Sequence, residues 1–543
     1  MLNVRRGAAT IAATAATGLV LAACGAGNSG DSSGEGIIVG TTDKVVSIDP
    51  AGSYDNGSTV VQTQVYQYLL NFPSGSTELE PDAAESCDFD EADGTKYVCT
   101  MKEGLKFANG NDLTASDVAF SFQRIVDIAD VNGPSSLLGA MESVEATDDS
   151  TVTFTLKSEN DQTFPQILVT SAGPIVDEET YPADEVLDDD AAVEANGFSG
   201  PYTITNYEKN RLAEFTKNPD YDGTYGEAEN ETVTMRYLAE SSNLKLDVEN
   251  GDIDVAYRSL TPTDLADLSE NDDVTVHEGV GGELRYIVFN LETMPGDDPE
   301  QKLAIRKAMA SLVDRGELSE QVYQGAYVPA WSMVPDGLPG AAESFKELYG
   351  EEPDPDAAEQ FLTDAGVETP VQVNLQYNPD HYGSSSAEEY AAVKRQLEDS
   401  GLFTIDLQST EWNTYSEEYN ADGYPVFQLG WFPDFPDADN YLSPFLAAYG
   451  GPDELPGNFT NSHYNEVGSD FEDETMTQLL DDQRTDDDEN SRAATLKEAQ
   501  DRLADQVPYL PLLTGASVAV SGNDIDGVTL DPSFKFRFAT LSK

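Results

Sequence analysis

The first 23 residues constrain the rest of the chain most strongly, because they have the pattern of an export signal. Arg5 and Arg6 supply a short positive region, and residues 7–23 follow without a charge and are rich in Ala and Thr. That stretch suits a secretory signal and is slightly short for a membrane-spanning helix. No later apolar run is long enough to cross a bilayer. We therefore predict that residues 1–23 are a signal peptide and that the rest of the chain folds outside the cytoplasm.

The signal ends in a motif that predicts a lipid anchor. Residues 21–24 read Leu-Ala-Ala-Cys, which resembles the bacterial lipobox, where cleavage leaves the cysteine as the lipidated first residue. An ordinary signal peptide with an incidental cysteine is the alternative. Residues 24–36 are rich in Gly and Ser, the composition of a flexible tether. We expect Cys24 to be lipidated and to hold the protein on the extracytoplasmic face of the cell membrane, at the cell surface or in the periplasm.

Charge composition excludes several kinds of partner. The chain carries 29 Lys and Arg against 101 Asp and Glu, a formal net charge of −72. Such a surface repels phosphate backbones and anionic lipid headgroups, so we expect no nucleic-acid partner. Hydrophobic residues still make up 39% of the chain, which is enough for large cores. The sequence therefore indicates a folded, acidic protein.

Motifs for chemistry on a substrate are missing from the sequence. It contains no HExxH, no phosphate-binding loop, and no GxSxG outside the Gly/Ser-rich tether at 24–36. The three histidines, His277, His381 and His463, are scattered and lack metal-ligand spacing. Acidic pairs arise by chance in so acidic a chain, so we give none of them a catalytic role. We expect neither an enzyme nor a metal site nor a cofactor, and a secreted hydrolase with paired carboxylates is the alternative.

The two remaining cysteines predict a disulfide. Cys87 and Cys99 flank Asp93-Gly94, a hairpin turn signal between two short runs. Once exported, both thiols are in an oxidising compartment, and no histidine or second cysteine pair lies nearby to complete a metal site. A bridge across this hairpin would stabilise the fold by roughly 3 kcal/mol by restricting the unfolded chain.

Short strand-like runs alternate with amphipathic helical runs along the chain. Residues 152–156 have the pattern of a strand, and residues 303–313 and 387–397 have apolar spacing suited to helices. Interleaved helices and strands indicate an α/β chain with mixed sheets.

A series of short motifs follows in a distinctive order. They are SIDP at 47–50, LEPDAAES at 79–86, KFANG at 106–110, LTASDV at 113–118, GPY at 200–202, KNPDY at 217–221, NGDID at 250–254, YIVFN at 286–290, GW at 430–431 and VPYLP at 507–511. In this order they resemble the peptide-type (family 5) extracellular solute-binding proteins of bacterial ABC importers, which include dipeptide-, oligopeptide- and nickel-binding members. The resemblance covers roughly residues 37–535. The departures are the Cys87–Cys99 insertion, the acidity, and Ala108-Asn109 where the family often has His-Asp.

The resemblance implies an α/β fold that is a two-lobed periplasmic-binding-protein clamshell with mixed sheets and an extra inserted subdomain in lobe I. The expected limits are 37–290 for lobe I with the inserted subdomain at about 77–190, 291–505 for lobe II, and 506–543 for the return to lobe I. It also implies a monomer that captures a peptide between the lobes and delivers it to a membrane permease and ATPase complex. No chemistry on the ligand is required.

The resemblance further assigns ligand contacts to two short segments. Extended protein segments can pair with a peptide backbone like added strands. One such segment contains Tyr54, Asp55 and Asn56, and the other contains Gly430, Trp431 and Phe432. The carboxylate that pairs with the ligand α-ammonium corresponds to Asp434, while Trp431 could equally belong to the core.

One departure from the family leaves the ligand open. Some oligopeptide-binding members have a basic residue two positions before the Gly-Trp pair, and this chain has Gln428 there. A cation for a ligand carboxylate must then come from elsewhere, and sequence does not rank Arg285, Lys106 or Arg124. A non-peptide solute, such as an oligosaccharide, an opine or a metal chelate, is therefore the alternative ligand.

Overall fold

A computed structural model describes residues 36–379, 381–383, 385–419, 421–446, 473–530 and 534–543. The predicted signal peptide at 1–23, Cys24, most of the tether at 24–36, and His463 lie outside these ranges. No helix within the described ranges is long and apolar enough to cross a membrane.

Within the described ranges the strands form four sheets. They are β1 Ile37–Thr41, β2 Leu70–Asn71, β3 Glu80–Pro81, β4 Ala84–Asp90, β5 Asp93–Met101, β6 Met141–Asp148, β7 Thr151–Leu156, β8 Tyr202–Glu208, β9 Leu212–Lys217, β10 Thr232–Tyr237, β11 Val255–Tyr257, β12 Val274–Gly279, β13 Leu284–Phe289, β14 Tyr327–Pro329, β15 Val371–Tyr377, β16 Phe403–Ser409, β17 Val426–Trp431, β18 Tyr509–Gly515 and β19 Ser517–Gly522.

Helices separate many of these strands. They are α1 Asn56–Val65, α2 Ala115–Ile128, α3 Phe164–Ile167, α4 Asp189–Ala195, α5 Ser241–Asn250, α6 Pro262–Ser269, α7 Pro299–Leu312, α8 Arg315–Glu317, α9 Ser344–Tyr349, α10 Pro355–Asp364, α11 Ser386–Asp399, α12 Trp412–Tyr419, α13 Asp439–Leu446, α14 Glu474–Thr485 and α15 Glu489–Gln506. Short 3-10 turns cover Pro50–Gly52 and Ser135–Leu138, and one π turn covers Leu318–Val322. The predicted strand at 152–156 lies in β7, and the predicted helices at 303–313 and 387–397 correspond to α7 and α11.

The first large sheet has seven strands in the order β12-β19-β11-β1-β10-β9-β8. β1 runs parallel to β10 and β11, and the other neighbours are antiparallel. Its central strand β1 reads IIVGT and is almost fully buried, as a strand with parallel neighbours on both sides should be. This mixed sheet carries the core of the first lobe.

The second large sheet has six strands in the order β14-β18-β13-β17-β15-β16. β15 is parallel to β16 and β17, and the remaining pairs are antiparallel. Every residue of the neighbouring central strands β13 and β18 is buried, including the charged Arg285. A buried guanidinium is costly unless it is paired, so this position already demands acidic partners.

A separate antiparallel sheet, β4-β5-β7-β6, lies within the range predicted for the inserted subdomain. α2 packs on it, with the Phe122 and Phe154 rings edge to face at 5.0 Å. Thr114 caps α2, because it accepts from the Ser116 amide while Asp117 accepts from the Thr114 amide.

The predicted disulfide is confirmed, since Cys87 and Cys99 are bonded across β4 and β5. The predicted turn at Asp93-Gly94 is wrong by two positions, because residues 91–92 form the turn and β5 already begins at Asp93. The Asp90 carboxylate accepts hydrogen bonds from the amides of residues 92 and 93, at 2.8 and 3.0 Å, and so starts the turn early.

The chain passes between the two large sheets at two adjacent places. β12 ends in the seven-stranded sheet and β13 begins in the six-stranded one, so the first passage is 280–283; the second, between β18 and β19, is Ala516. The passages touch: a Cβ on Gly281 would stand 1.2 Å from the Gly515 carbonyl oxygen, so only glycine fits there. The lobe boundaries predicted from the sequence were at residues 290 and 506, whereas the chain changes sheets at 280–283 and at Ala516. The division into lobes itself stays a prediction.

Candidate functional site

A cavity of about 520 Å³ lies against these two passages. Its walls come from both large sheets. On the side of the seven-stranded sheet, Tyr257 ends β11 and Arg258 follows it. On the side of the six-stranded sheet, Glu283 precedes β13, Arg285 lies in β13 and Tyr327 begins β14. The volume is within the range of about 300–1,000 Å³ found for small-molecule sites. A cavity between the lobes is where a clamshell protein would enclose a solute.

The first predicted segment, at 54–56, reaches this cavity through Asn56, which lines it. Asp55 is the N-cap of α1, because its Oδ1 accepts a hydrogen bond from the Ser58 amide at 2.9 Å. Burial raises the pKa of Asp55, and the hydrogen bonds from Ser58 oppose that shift. Tyr54 remains 43% exposed and directs its hydroxyl toward the second segment.

The second predicted segment ends strand β17. Gly430 is required there, because a Cβ would approach the Tyr382 ring to 2.8 Å. Trp431 is half-buried; its Nε1 donates to Asn440 Oδ1 at 3.1 Å and its ring meets Phe445 edge to face at 5.1 Å. Phe432 lines the cavity and is 37% exposed. Trp431 therefore positions the segment from the core side, while Phe432 is its apolar surface toward the cavity.

Asp434 follows this segment and joins the two predicted regions. Tyr54 donates its hydroxyl to Asp434 Oδ1, and the Asn440 amide donates to Asp434 Oδ2 at 3.0 Å. Asn440 also accepts from the Asp434 amide at 3.0 Å and thereby holds the loop. Tyr54 precedes α1, which packs on β8 of the seven-stranded sheet, whereas Asp434 follows β17 of the six-stranded sheet. The Tyr54–Asp434 hydrogen bond therefore joins a segment next to the seven-stranded sheet to a segment next to the six-stranded sheet.

The electrostatics of Asp434 are unusual for a carboxylate in so acidic a chain. Burial raises its pKa, and the hydrogen bonds from Tyr54 and Asn440 oppose that shift. Both donors are neutral, and no ion pair among the described residues includes Asp434. Burial and the Asp434 charge also raise the pKa of Tyr54, so its hydroxyl stays protonated and donates. A half-buried carboxylate without a cationic partner in the protein can accept an ammonium as its ligand.

The three cations proposed for a ligand carboxylate lie in different places. Lys106 is exposed and pairs with Asp112 away from the cavity. Arg124 is buried and pairs with Asp49 through two hydrogen bonds of 2.8 and 2.6 Å. Only Arg285 lines the cavity.

Two further positions discussed from the sequence also have structural partners. Gln428 is buried; its Oε1 accepts from the Asn378 amide at 2.9 Å and its Nε2 donates to Ser386 Oγ at 3.1 Å. His277 shares a 2.8 Å hydrogen bond with Ser521, and burial lowers its pKa.

His381 and Arg258 are among the cavity-lining residues that sequence reasoning did not assign to the site. His381 stacks on the Trp412 ring at 3.7 Å with the planes 7° apart. Arg258 lines the cavity and comes four residues after the end of the motif at 250–254. Its position directly after a short strand that follows this motif is the one sequence feature that could have marked it as a site residue. No group of three or more His, Cys, Asp or Glu that could hold a metal ion occurs among the residues that the structure describes.

Comparison with known proteins defines the class. Residues 78–453 match the model of the "Bacterial extracellular solute-binding proteins, family 5 Middle". The chain is therefore a solute-binding protein, and it belongs to family 5 of the bacterial extracellular solute-binding proteins.

Relatives match along nearly the whole chain. The oligopeptide-binding protein OppA of Bacillus subtilis is 24% identical over 545 residues, covering 94% of this chain and 95% of the relative. The heme-binding protein A of Haemophilus influenzae is 26% identical over 563 residues, covering 96% and 97%. The crystal structure of a dipeptide-binding protein from a Pseudoalteromonas species, in complex with Met-Leu, superposes with a TM-score of 0.73 at 22% identity and covers 94% of this chain and 100% of that one. This likeness confirms the predicted clamshell fold.

Proposed function

We propose that this protein is the peptide receptor of an ABC importer: it captures a peptide in the cavity between its lobes and delivers it to the membrane permease. The observation that carries the proposal is the half-buried Asp434 carboxylate, which accepts from the neutral donors Tyr54 and Asn440 and has no cationic partner among the described residues. Relatives whose names specify oligopeptides and dipeptides support the choice of ligand.

The α-ammonium of a peptide would replace the Tyr54 hydroxyl at Asp434. The ammonium adds the attraction of a full positive charge to the carboxylate, which the neutral Tyr54 hydroxyl does not supply, so the exchange favours the ligand. Removing one partner of such a desolvated pair costs about 2–5 kcal/mol. Because every peptide with a free N-terminus carries this ammonium, the contact would serve ligands with different side chains.

Ligand capture would also set the conformation that the permease recognises. The peptide touches both lobes, so its binding energy favours the closed form over the open one. The two adjacent passages at 280–283 and Ala516 are the places where the chain can act as a hinge. The peptide leaves unchanged, and no residue is assigned a catalytic step.

The location follows from the N-terminal motif. We propose a lipid-anchored monomer on the extracytoplasmic face of the membrane, held through Cys24 and the tether at 24–36. Replacement of Cys24 by serine should leave the precursor uncleaved and without acyl chains, as checked by mass spectrometry of the membrane fraction. Unchanged acylation in the Cys24→Ser protein would contradict the anchor.

The ligand class is tested directly on the purified protein. Native mass spectrometry identifies solutes carried through purification, and calorimetry then compares free peptides with the same peptides N-acetylated. We expect carried peptides and a strong preference for the free N-terminus. A carried oligosaccharide, opine, haem or metal chelate, together with no binding of either peptide form, would contradict the proposal and favour the non-peptide solute.

A further inference from the structure

Arg258 has an unusual backbone for a residue at the cavity wall. It directly follows β11, and its φ is 57°, while that of Ser259 is 63°. Two successive non-glycine residues in the left-handed region are uncommon, and such strained positions concentrate at ligand sites. The segment is held in place from the neighbouring strand, since the Arg258 amide donates to the Val518 carbonyl at 3.1 Å.

The side chain of Arg258 has unused hydrogen-bonding capacity. Its nearest anionic partner, Asp43, lies with Oδ2 at 3.9 Å from Nε, which is too far for a hydrogen bond. Within the described part of the chain no residue accepts a hydrogen bond from this guanidinium, and the side chain is 32% exposed. A guanidinium carries five N–H donors, arranged to hold a carboxylate with two parallel bonds.

Arg285, the other arginine on the cavity wall, is already occupied. Its Nη1 donates to the Tyr323 hydroxyl at 2.9 Å and lies 3.3 Å from Glu389 Oε2, and its Nη2 lies 3.0 Å from Glu283 Oε1. Its side chain is only 4% exposed. A ligand would have to break this buried network to reach Arg285, whereas Arg258 can bind without any such loss.

The charges around Arg258 keep it ionised. Burial alone would lower the pKa of Arg258, but the negative charges of Asp43 and Glu283 together outweigh burial, so the pKa is raised. Glu283 shares its charge with Arg285 and also accepts from the Tyr327 hydroxyl at 2.6 Å. Asp43 is therefore the main group that would compete with a ligand carboxylate for the Arg258 guanidinium. Because Asp43 Oδ2 lies 3.9 Å from Arg258 Nε, no hydrogen bond between them has to break when a ligand binds.

We propose that Arg258 binds the C-terminal carboxylate of a short peptide whose ammonium lies at Asp434. This inference rests on the proposed function and narrows its ligand class to short peptides with both termini free. Asp434 is not among the residues that line this cavity, but Phe432 and Pro433, which directly precede it, line the same cavity as Arg258. The cavity of about 520 Å³ suits a compact ligand of this kind.

The test compares two forms of one probe. A pool of synthetic di-, tri- and tetrapeptides is prepared as free acids and as C-terminal amides, and calorimetry measures the best-binding members with wild type, Arg258→Gln and Arg258→Lys. Arg211→Gln is the matched control, since Arg211 is exposed and pairs only with Glu208. Thermal unfolding of each variant without ligand monitors the fold.

We expect wild type to prefer the acids. Arg258→Gln should weaken acid binding by about 10- to 150-fold, the range of one charged hydrogen bond, and leave amide binding unchanged. Arg258→Lys should retain part of the preference, because it keeps the charge but loses the two-bond geometry. The Arg211→Gln control should match wild type.

Three results would overturn the inference. Equal losses for acids and amides would mean that Arg258 only shapes the wall of the cavity. Equal binding of acids and amides by wild type would mean that no cation reads the carboxylate, and the peptide receptor itself would still stand. Binding of neither form by wild type would remove the proposed function and this inference together.

Discussion

Three aspartates on one loop and the helix after it have opposite surroundings. Asp437 and Asp439 lie just beyond Asp434, and each is buried with an arginine: Asp437 Oδ1 is 2.7 Å from Arg492 and Asp439 Oδ2 is 2.9 Å from Arg484. Asp434 accepts from the neutral donors Tyr54 and Asn440 and forms no ion pair with the residues that the structure describes.

The difference separates structural carboxylates from a carboxylate that is prepared for a ligand. Buried charges are normally paired within the protein, because an unpaired one costs several kcal/mol. Asp437 and Asp439 follow that rule and fasten α13 to α14 and α15. Asp434 is half-buried and has no cationic partner among the described residues, so we expect its partner to come from a ligand.

The largest effect should come from breaking a structural pair. Asp439→Asn removes the charge opposite Arg484 at a site where both side chains are at most 4% exposed. We expect the free energy of unfolding to fall by about 3–5 kcal/mol, because a buried arginine loses its partner. Urea denaturation measures this loss, with Asp434→Asn as the comparison that should change stability far less. Equal destabilisation by both variants would mean that Asp434 is a structural carboxylate like Asp439.

The two kinds of aspartate should also respond oppositely to pH. Burial tends to raise the pKa of Asp437, but Arg492 outweighs it, so the pKa lies below its ordinary value of 3.8. The stability from this pair is therefore present above that value and is lost only as the pH falls through the lowered pKa.

For Asp434 the raised pKa acts on binding instead. An ammonium pairs with the ionised carboxylate, so affinity should be complete above the raised pKa, which exceeds 3.8, and should fall by up to about tenfold per pH unit below it. Calorimetry from neutral to acidic pH with a free peptide checks this dependence. A free peptide whose affinity follows the same pH curve as its N-acetylated form would contradict it.

The smallest effect concerns the hydroxyl that occupies Asp434 without ligand. Tyr54→Phe removes this competitor, and we expect free peptides to bind about 2- to 10-fold more tightly, the range of one net hydrogen bond. Tyr207→Phe is the matched control. The Tyr207 hydroxyl also donates to an aspartate, Asp189, at 3.4 Å, but Tyr207 does not line the cavity. Weaker binding by the Tyr54→Phe protein would instead make Tyr54 a direct ligand contact.

Sequence could identify the parts of this site that depend on local motifs. The family resemblance at the Gly-Trp pair pointed to Phe432 and Asp434; Phe432 lines the cavity, while the role of Asp434 stays a prediction. The contact between Tyr54 and Asp434 could not be predicted from local patterns, because 380 residues separate them and only the packing of two lobes brings them together.

Other features needed information that one-dimensional patterns do not hold. Arg258 belongs to no motif, and its importance depends on the acceptors that surround its guanidinium. Arg285 was a reasonable candidate from its charge, yet the structure shows that Glu283 and Glu389 already occupy it. The α/β class and the disulfide followed from periodicity and cysteine placement, whereas the sheet passages at 280–283 and Ala516 depend on which strands pair.

The most direct measurement is calorimetric titration of the wild type, Asp434→Ala and the exposed control Asp356→Asn with one peptide in free and N-acetylated forms. If Asp434 is the ammonium receptor, Asp434→Ala should weaken binding of the free peptide by about 2–5 kcal/mol and change binding of the acetylated peptide little. The control should match the wild type with both forms. Equal losses for the free and acetylated peptides, or unchanged binding of the free peptide, would contradict the account.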